Sequence, residues 1–438
     1  MYDAAKQVDT HLRRAIYSRV AESKFVTRPF ADRMRIFRVH RLWLMALLCP
    51  VIAVAQQPAL DLKAALATAE SNNLELRAAR QHRALAIAGI TTAGQLPNPT
   101  VSFTAARDTP HEGISLDLPL ELGGKRAKRL AVAREEQRSV EIDLAVLARN
   151  IRRRAREAFF RALSAGAQTE QSKAALGLVT RTRDLVEQRY EAGGIAQLEV
   201  IQADVELARA TADHETTALA QRSADVLLAG LLNRRLDLPV ATAGRLDEVP
   251  PAPLLDAVTA QALQSNADLL KSTQDLKTQE RRLALAKAQR IPNLDLSAGA
   301  DFNSPPEFNI GGKGGISITL PLFYRGQGEI ALSNARLELL RLTLESQRTN
   351  ASAQVAGAYF DYVAKLHQAE QYSQHIVPLT EKLALMAEDS YRSGKTNLLT
   401  LIDAQRRLND VRKAYLDSLF AAQSAFAALE EVVGASLD

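Results

Sequence analysis

The apolar positions keep a helical spacing through residues 60–95 and switch to strict alternation after Pro97. Val101, Phe103 and Ala105 alternate with Ser102 and Thr104. After a polar link at 107–112, Ile114, Leu116, Leu118 and Leu120 alternate with Ser115, Asp117 and Pro119. Period two marks strands, and two such runs joined by a polar link mark a hairpin, here with strands at about 99–106 and 113–122. The pattern returns later: Leu294, Leu296, Ala298 and Ala300 alternate with Asp295 and Ser297, a loop occupies 303–314, and Ile316, Ile318, Leu320 and Leu322 follow. This predicts strands at about 293–302 and 315–322, with Pro119 and Pro321 near strand ends, where a missing N–H is tolerated. Runs of about nine to eleven residues suffice to cross a bilayer as tilted strands. The lipid-facing series would then be Ile114, Leu116, Leu118, Ile316, Ile318 and Leu320.

After each hairpin the period returns to that of a helix, over an unusual length. From Lys125 to Tyr190 there is no proline, and glycine occurs only at 166 and 177. Such a helix would be roughly 100 Å long at about 1.5 Å per residue. Gly193-Gly194 breaks it, and a second helix returns over 198–232. The second half does the same around Ser393-Gly394, with Leu401, Leu408 and Tyr415 spaced by sevens, as closely packed coiled coils require. Four segments recur in order about 200 residues apart: Glu70-Ser-Asn-Asn and Gln264-Ser-Asn-Ala, Gln95-Leu-Pro-Asn and Arg290-Ile-Pro-Asn, Gly113-Ile-Ser-Leu and Gly315-Ile-Ser-Ile, Arg189-Tyr-Glu-Ala-Gly and Ser390-Tyr-Arg-Ser-Gly. The chain therefore reads as a duplication, with repeats at 56–232 and 263–438 and a Pro-rich linker at 233–262.

The N-terminus changes the charge picture. Arg35, Arg38 and Arg41 precede the apolar stretch Leu42–Ile52, and Ala53-Val54-Ala55 supplies a small-x-small cleavage site. Residues 34–55 thus read as an export signal that starts at Met34, and 1–33 as an upstream extension from a mis-assigned start. The chain's one cysteine, Cys49, would leave with the signal. The 438 residues carry 55 Lys+Arg and 50 Asp+Glu, but 10 of the basic and 4 of the acidic residues lie in 1–55. The exported part is close to neutral, which removes the main support for a nucleic-acid partner. A single cysteine excludes a disulfide framework, and the absence of an apolar run of about 18 residues excludes a polytopic helical membrane protein.

Four strands cannot close a barrel, and open sheet edges cannot sit in lipid because their backbone groups lack partners. Several chains must pool their strands, and three would give twelve. At this point the sequence resembles the TolC family of outer-membrane efflux channels. Leu118-Pro-Leu-Glu-Leu-Gly-Gly-Lys-Arg126 and Arg189-Tyr-Glu-Ala-Gly-Gly-Ile-Ala-Gln-Leu-Glu-Val200 are similar to its heavy-metal, CzcC-like branch. The resemblance implies an α+β membrane protein of two repeats, each a β-hairpin with long antiparallel coiled-coil helices. It implies a homotrimer with a 12-stranded barrel in outer-membrane lipid, continued by a periplasmic α-helical barrel. The implied partners are a periplasmic adaptor and an inner-membrane resistance-nodulation-division pump, and the tips at 190–195 and 391–396 (Tyr190, Gly193, Gly194, Tyr391, Gly394) would meet the adaptor. The resemblance also puts Asp403 at the pore entrance. Thr400 stands where a second acid often occurs, and Gln202 is the first-repeat counterpart of Asp403.

The expected function is the outer-membrane exit duct of a tripartite exporter of heavy-metal cations. The alternatives are a channel for drugs or organic solutes and a non-channel periplasmic coiled-coil scaffold. No catalytic constellation, resident metal or cofactor is expected. Gly123-Gly124-Lys125-Arg126 and Gly311-Gly312-Lys313-Gly314 lack the hydroxyl residue of a phosphate loop. His82, His111, His214, His367 and His375 are scattered, and His367 with Glu370 is an isolated one-turn pair. Arg149, Arg152, Arg153, Arg154 and Arg156 read as a solvated helix face, and Phe323-Tyr324 as a girdle at the membrane surface.

Overall fold

The computed structural model describes residues 59–238 and 240–437; the export signal at 34–55, the extension at 1–33 and Cys49 lie outside them. Each repeat opens with two short helices. In the first these are α1 (Leu62–Asn72) and α2 (Leu74–Ala93), separated at Asn73. The Asn73 side-chain oxygen accepts the Leu76 N–H at 3.1 Å, which caps α2, and its amide donates to the Leu231 carbonyl at 3.2 Å. Next come β1 (Thr100–Ala105), β2 (Glu112–Leu120), α3 (Lys125–Glu191) and α4 (Gln197–Leu231).

The second repeat follows the same plan. Asn266 separates α5 (Leu255–Ser265) from α6 (Ala267–Gln289). It accepts from the Asp268 and Leu269 N–H groups and donates to the Val432 carbonyl at 2.7 Å. The repeated Ser-Asn segment is thus a helix cap that also ties the short helices to the end of a long one. Then come β3 (Leu294–Ser304), β4 (Phe308–Ile318), α7 (Gln327–Gln371), a π-helical turn (Tyr372–Ile376), α8 (Val377–Arg392) and α9 (Leu398–Val433).

The 67 residues of α3 run unbroken, as the absence of proline predicts. Its second-repeat counterpart does not. Pro378 lies in the first turn of α8, where it cannot donate to the preceding turn, and the ladder widens into the π turn just before it. Both long helices start at left-handed glycines, Gly124 (φ +67°) four residues after β2 and Gly326 (φ +68°) eight residues after β4.

The four strands form one antiparallel sheet in the order β1-β2-β3-β4, so the two hairpins lie side by side. Far along the helices, Ile151, Phe159, Leu228 and Leu232 build a core with Leu60. A second core surrounds Tyr362, Phe426 and Leu429. The inter-repeat chain lies over this region. The Tyr362 hydroxyl donates to the Pro250 carbonyl, Gln423 Nε2 donates to the Glu248 carbonyl at 2.9 Å, and Leu60 bridges Thr242. Burial pushes the Tyr362 phenol up to about 12, so it stays a donor at any physiological pH.

Three expectations need correction. β4 begins at Phe308 rather than near 315, and the expected loop at 303–314 shrinks to a turn at 305–307 between Ser304 and Phe308, which pair. The hidden half of the strand contains Gly311, Gly312 and Gly314, which dilute the alternation that identifies a strand. It pairs nonetheless, Ala300 with Gly312 and Ala298 with Gly314. Because β4 ends at Ile318, Leu320 lies beyond the strand and is exposed in the link to α7; it is not a lipid-facing strand residue. The linker is also shorter than 233–262, because α5 already begins at Leu255.

Candidate functional site

The register separates the sheet into two chemically distinct faces. Leu116 pairs with Val101 and Ala298, Ile114 with Phe103 and Ala300, and Leu118 with Leu296, which pairs with Ile316. These side chains share one face, together with Ile310 and Ile318. The other face carries Ser102, Thr104, Ser115, Asp117, Ser297 and Ser317, with Lys313 donating to Asp301 at 2.6 Å. The apolar face is uncovered: Phe103 is 69% exposed and Ile316 72%. A contiguous apolar surface of this extent marks an interaction surface. The edges β1 and β4 are unpaired among the described residues.

At the opposite end of the long helices, each tip reverses through a left-handed glycine, Gly193 at φ +75° and Gly394 at φ +72°. The first turn is closed by the Gly194 N–H donating to the Arg189 carbonyl at 2.8 Å, the second by the Lys395 N–H donating to the Ser390 carbonyl at 2.9 Å. A Cβ at either left-handed position would strain the reversal. Tyr190 is partly exposed beside the first turn. Tyr391 is 1% exposed and packs with Val186, Ala203, Leu398 and Leu401. Its side chain is therefore a core element of the tip and not a surface contact as expected, because the two tips lean on each other.

Polar links join the tips where sequence reasoning saw none. Arg189 donates to the Tyr391 carbonyl at 3.2 Å and stacks over the Tyr391 ring at 4.9 Å, while the Tyr391 hydroxyl lies 3.4 Å from Glu199. Gln405 donates to Thr182 at 3.0 Å. Arg406 forks onto the buried Glu206 carboxylate, with Nε donating at 2.8 Å. The repeat itself carried a usable signal: Glu206 and Arg406 stand 200 residues apart, so the duplication sets opposite charges at near-equivalent positions on α4 and α9.

The expected entrance residues fall just beyond the second tip. Asp403 is exposed on α9, where its charge adds to that of Glu206 in raising the Arg406 pKa. Thr400 donates its hydroxyl to Asn397 Oδ1 at 2.8 Å, and the same oxygen accepts the Thr400 N–H at 3.0 Å. Thr400 is therefore held as part of the α9 N-cap. Gln202 is half-buried on α4.

The arginine cluster is compensated rather than free. Arg152 meets Glu70, Arg153 meets Glu431, Arg154 meets Glu75 and Arg156 meets Glu430, which fastens α3 to α1, α2 and α9. Arg149 donates to the Ser265 carbonyl at 2.8 Å. His367 Nδ1 lies 3.8 Å from Glu370 on an exposed face, and His214 bonds Ser172 at 3.0 Å. Among the described residues no three His, Cys, Asp or Glu side chains cluster as metal ligands.

Comparison with known proteins agrees with this arrangement. The cobalt-zinc-cadmium resistance protein CzcC of Cupriavidus metallidurans is 25% identical over 378 residues, 86% of this chain and 90% of that one. The solved structure of CusC superposes with a TM-score of 0.71 at 19% identity, covering 86% of this chain and 92% of that chain. That of VceC from Vibrio cholerae gives 0.69 at 18% identity, covering 86% and 97%. The outer membrane efflux protein family matches residues 65–234 and 258–435, one block for each repeat of hairpin and tip. The chain belongs to that family, whose members are outer-membrane channels with a periplasmic helical part and not enzymes.

Proposed function

We propose that three copies of this chain pool their sheets into a twelve-stranded barrel and their long helices into a periplasmic tube, forming the exit duct of a tripartite exporter. The observation that carries this reading is the sheet: one face uncovered and apolar except for Glu112 at its turn end, the other polar, and both edges open. A soluble scaffold would have to leave that face in water. Closure through neighbouring copies satisfies the edges, since lipid offers no backbone partner. The apolar face then meets lipid and the polar face lines a water-filled lumen.

Energy and selection come from outside the chain, from a periplasmic adaptor that meets the tip turns and an inner-membrane resistance-nodulation-division pump. Gating is the separation of the second tip from the first, with loss of the Arg189–Tyr391 and Arg406–Glu206 links and exposure of a ring of Asp403 carboxylates that favours cations. The likeness to CzcC over 86% of the chain supports divalent metal cations as cargo. Pyoverdine exporters also match, one from Pseudomonas aeruginosa at 22% identity over 408 residues, which keeps organic solutes as the second reading.

The test is fractionation of the expressed chain followed by planar-bilayer recording. Recovery in the outer membrane with stepwise conductance is expected, and Asp403→Ala should lower the preference for divalent over monovalent cations. Recovery as a soluble periplasmic protein would overturn the duct. An unchanged preference would remove Asp403 from the entrance.

A further inference from the structure

The two ends of the sheet carry opposite charge. Where strands meet helices, residues 121–129, 287–295 and 323–329 contain seven Lys and Arg against Glu121, Asp295 and Glu329. At the turn end, 106–112 and 303–310 contain Arg107 against Asp108, Glu112 and Glu307. Little of the positive charge is neutralised. Arg129 pairs with Glu121, whereas Arg126 and Arg325 donate to the Gly94 and Leu322 carbonyls at 2.6 and 3.3 Å, which leaves their charge in place. Lys128, Lys287 and Arg290 are exposed and form no ion pair among the described residues. Helix stability does not account for the belt, because Lys125 and Arg126 occupy the first turn of α3, where a cation opposes the helix dipole.

The first hairpin contributes four of these seven cations, and at the second hairpin the cations stand beside exposed aromatic rings. Phe323, 93% exposed, and Tyr324, 67% exposed, lie in the link that follows the end of β4 at Ile318. Arg325 follows them, and Arg290 lies over the same turn: its Cγ is 3.5 Å from the place a Cβ on Gly326 would occupy. Exposed aromatic rings beside guanidinium groups, at the rim of an apolar band, match the chemistry of a lipid headgroup region: rings at the acyl boundary and guanidinium forks on phosphate oxygens.

We propose that Phe323, Tyr324, Arg290 and Arg325 form a binding site for an anionic phospholipid of the periplasmic leaflet, one per chain, that anchors the duct at fixed depth. The proposal rests on the reading of the apolar sheet face as lipid-facing. It specifies the headgroup, which that reading leaves open. The opposite charge at the turn end directs the lipid to one leaflet.

The exported chain, purified in detergent, is titrated with phosphatidylglycerol and with phosphatidylcholine, and retained lipid is read by native mass spectrometry. Phosphatidylglycerol is expected to bind more tightly, with a preference that weakens as salt rises. Arg290→Gln and Arg325→Gln should each lower the preference about fivefold. Phe323→Ala with Tyr324→Ala should weaken both lipids alike. The charge-retaining pair R290K and R325K, which should fold as the parent does, keeps most of the preference. Equal binding of the two lipids, or a preference that survives the double glutamine variant, overturns the proposal. Conductance in pure phosphatidylcholine bilayers is recorded alongside. A conducting protein without lipid preference sinks the headgroup site alone, and one that never enters bilayers sinks the duct as well.

Discussion

At the scale of single residues, the buried carboxylates hold the sharpest consequences. Asp225 on α4 is buried, and desolvation pushes its pKa from 3.8 to about 6. Below about pH 4 it is protonated folded and unfolded alike. Between there and pH 6 the folded chain holds a proton that the unfolded chain has released, so stability falls as pH rises through that window. Asp225→Asn should therefore raise Tm above pH 6, by an amount equivalent to about 1 kcal/mol after solvent screening, and leave it unchanged near pH 4; a pH-independent shift would refute the assignment. Arg406→Gln is a different case, because it leaves the Glu206 carboxylate with Arg209 alone, at 3.7 Å. A loss of about 1 kcal/mol is expected for this partly exposed pair, read as a lower thermal midpoint, together with more frequent opening in single-channel records. The sequence marked neither residue, since a charge inside a helical stripe looks the same whether its partner is water or a helix two hundred residues away. Tyr391 was legible as part of the tip but not as its core, because burial there depends on how the two repeats lean together.

At the scale of elements, the period of the apolar pattern carried most of the information. The unbroken α3, the tip reversals at Gly193 and Gly394 and three of the four strands follow from it. The pattern failed where glycine replaced apolar side chains, in the first half of β4, and there only pairing with β3 defines the strand. It was also silent on the π turn at Tyr372–Ile376, which shifts the helical register by one residue without altering composition. This turn makes the repeats unequal: the first reaches its tip through one continuous α-helix, the second through a helix interrupted by the π turn. The faces of the sheet yield a direct prediction. Ile316→Lys with Ile318→Lys should abolish recovery in the outer membrane, because each lysine facing hydrocarbon costs up to about 4 kcal/mol at mid-depth and less near the rim. Ser317→Lys, one residue away on the polar face, should assemble normally. Equal tolerance of both would mean that the apolar face does not meet lipid.

At the scale of the whole molecule, the proposed ring of three has a direct test. Cross-linking of the detergent-purified protein should therefore give a species of three chain masses and nothing larger. The edges that would meet in such a ring are unequal: β1 has 6 residues and β4 has 11. Each seam between copies can carry only about as many rungs as its shorter strand allows, so five residues of β4 overhang at every joint. Within a copy, by contrast, β2 and β3 pair over nine positions and β3 and β4 over ten. The wall would thus be built of three stiff staves held by three short zippers. On heating, the zippers part first, and the product is a separated copy with its own sheet intact. Melting then occurs in two stages, the first dependent on protein concentration and the second not.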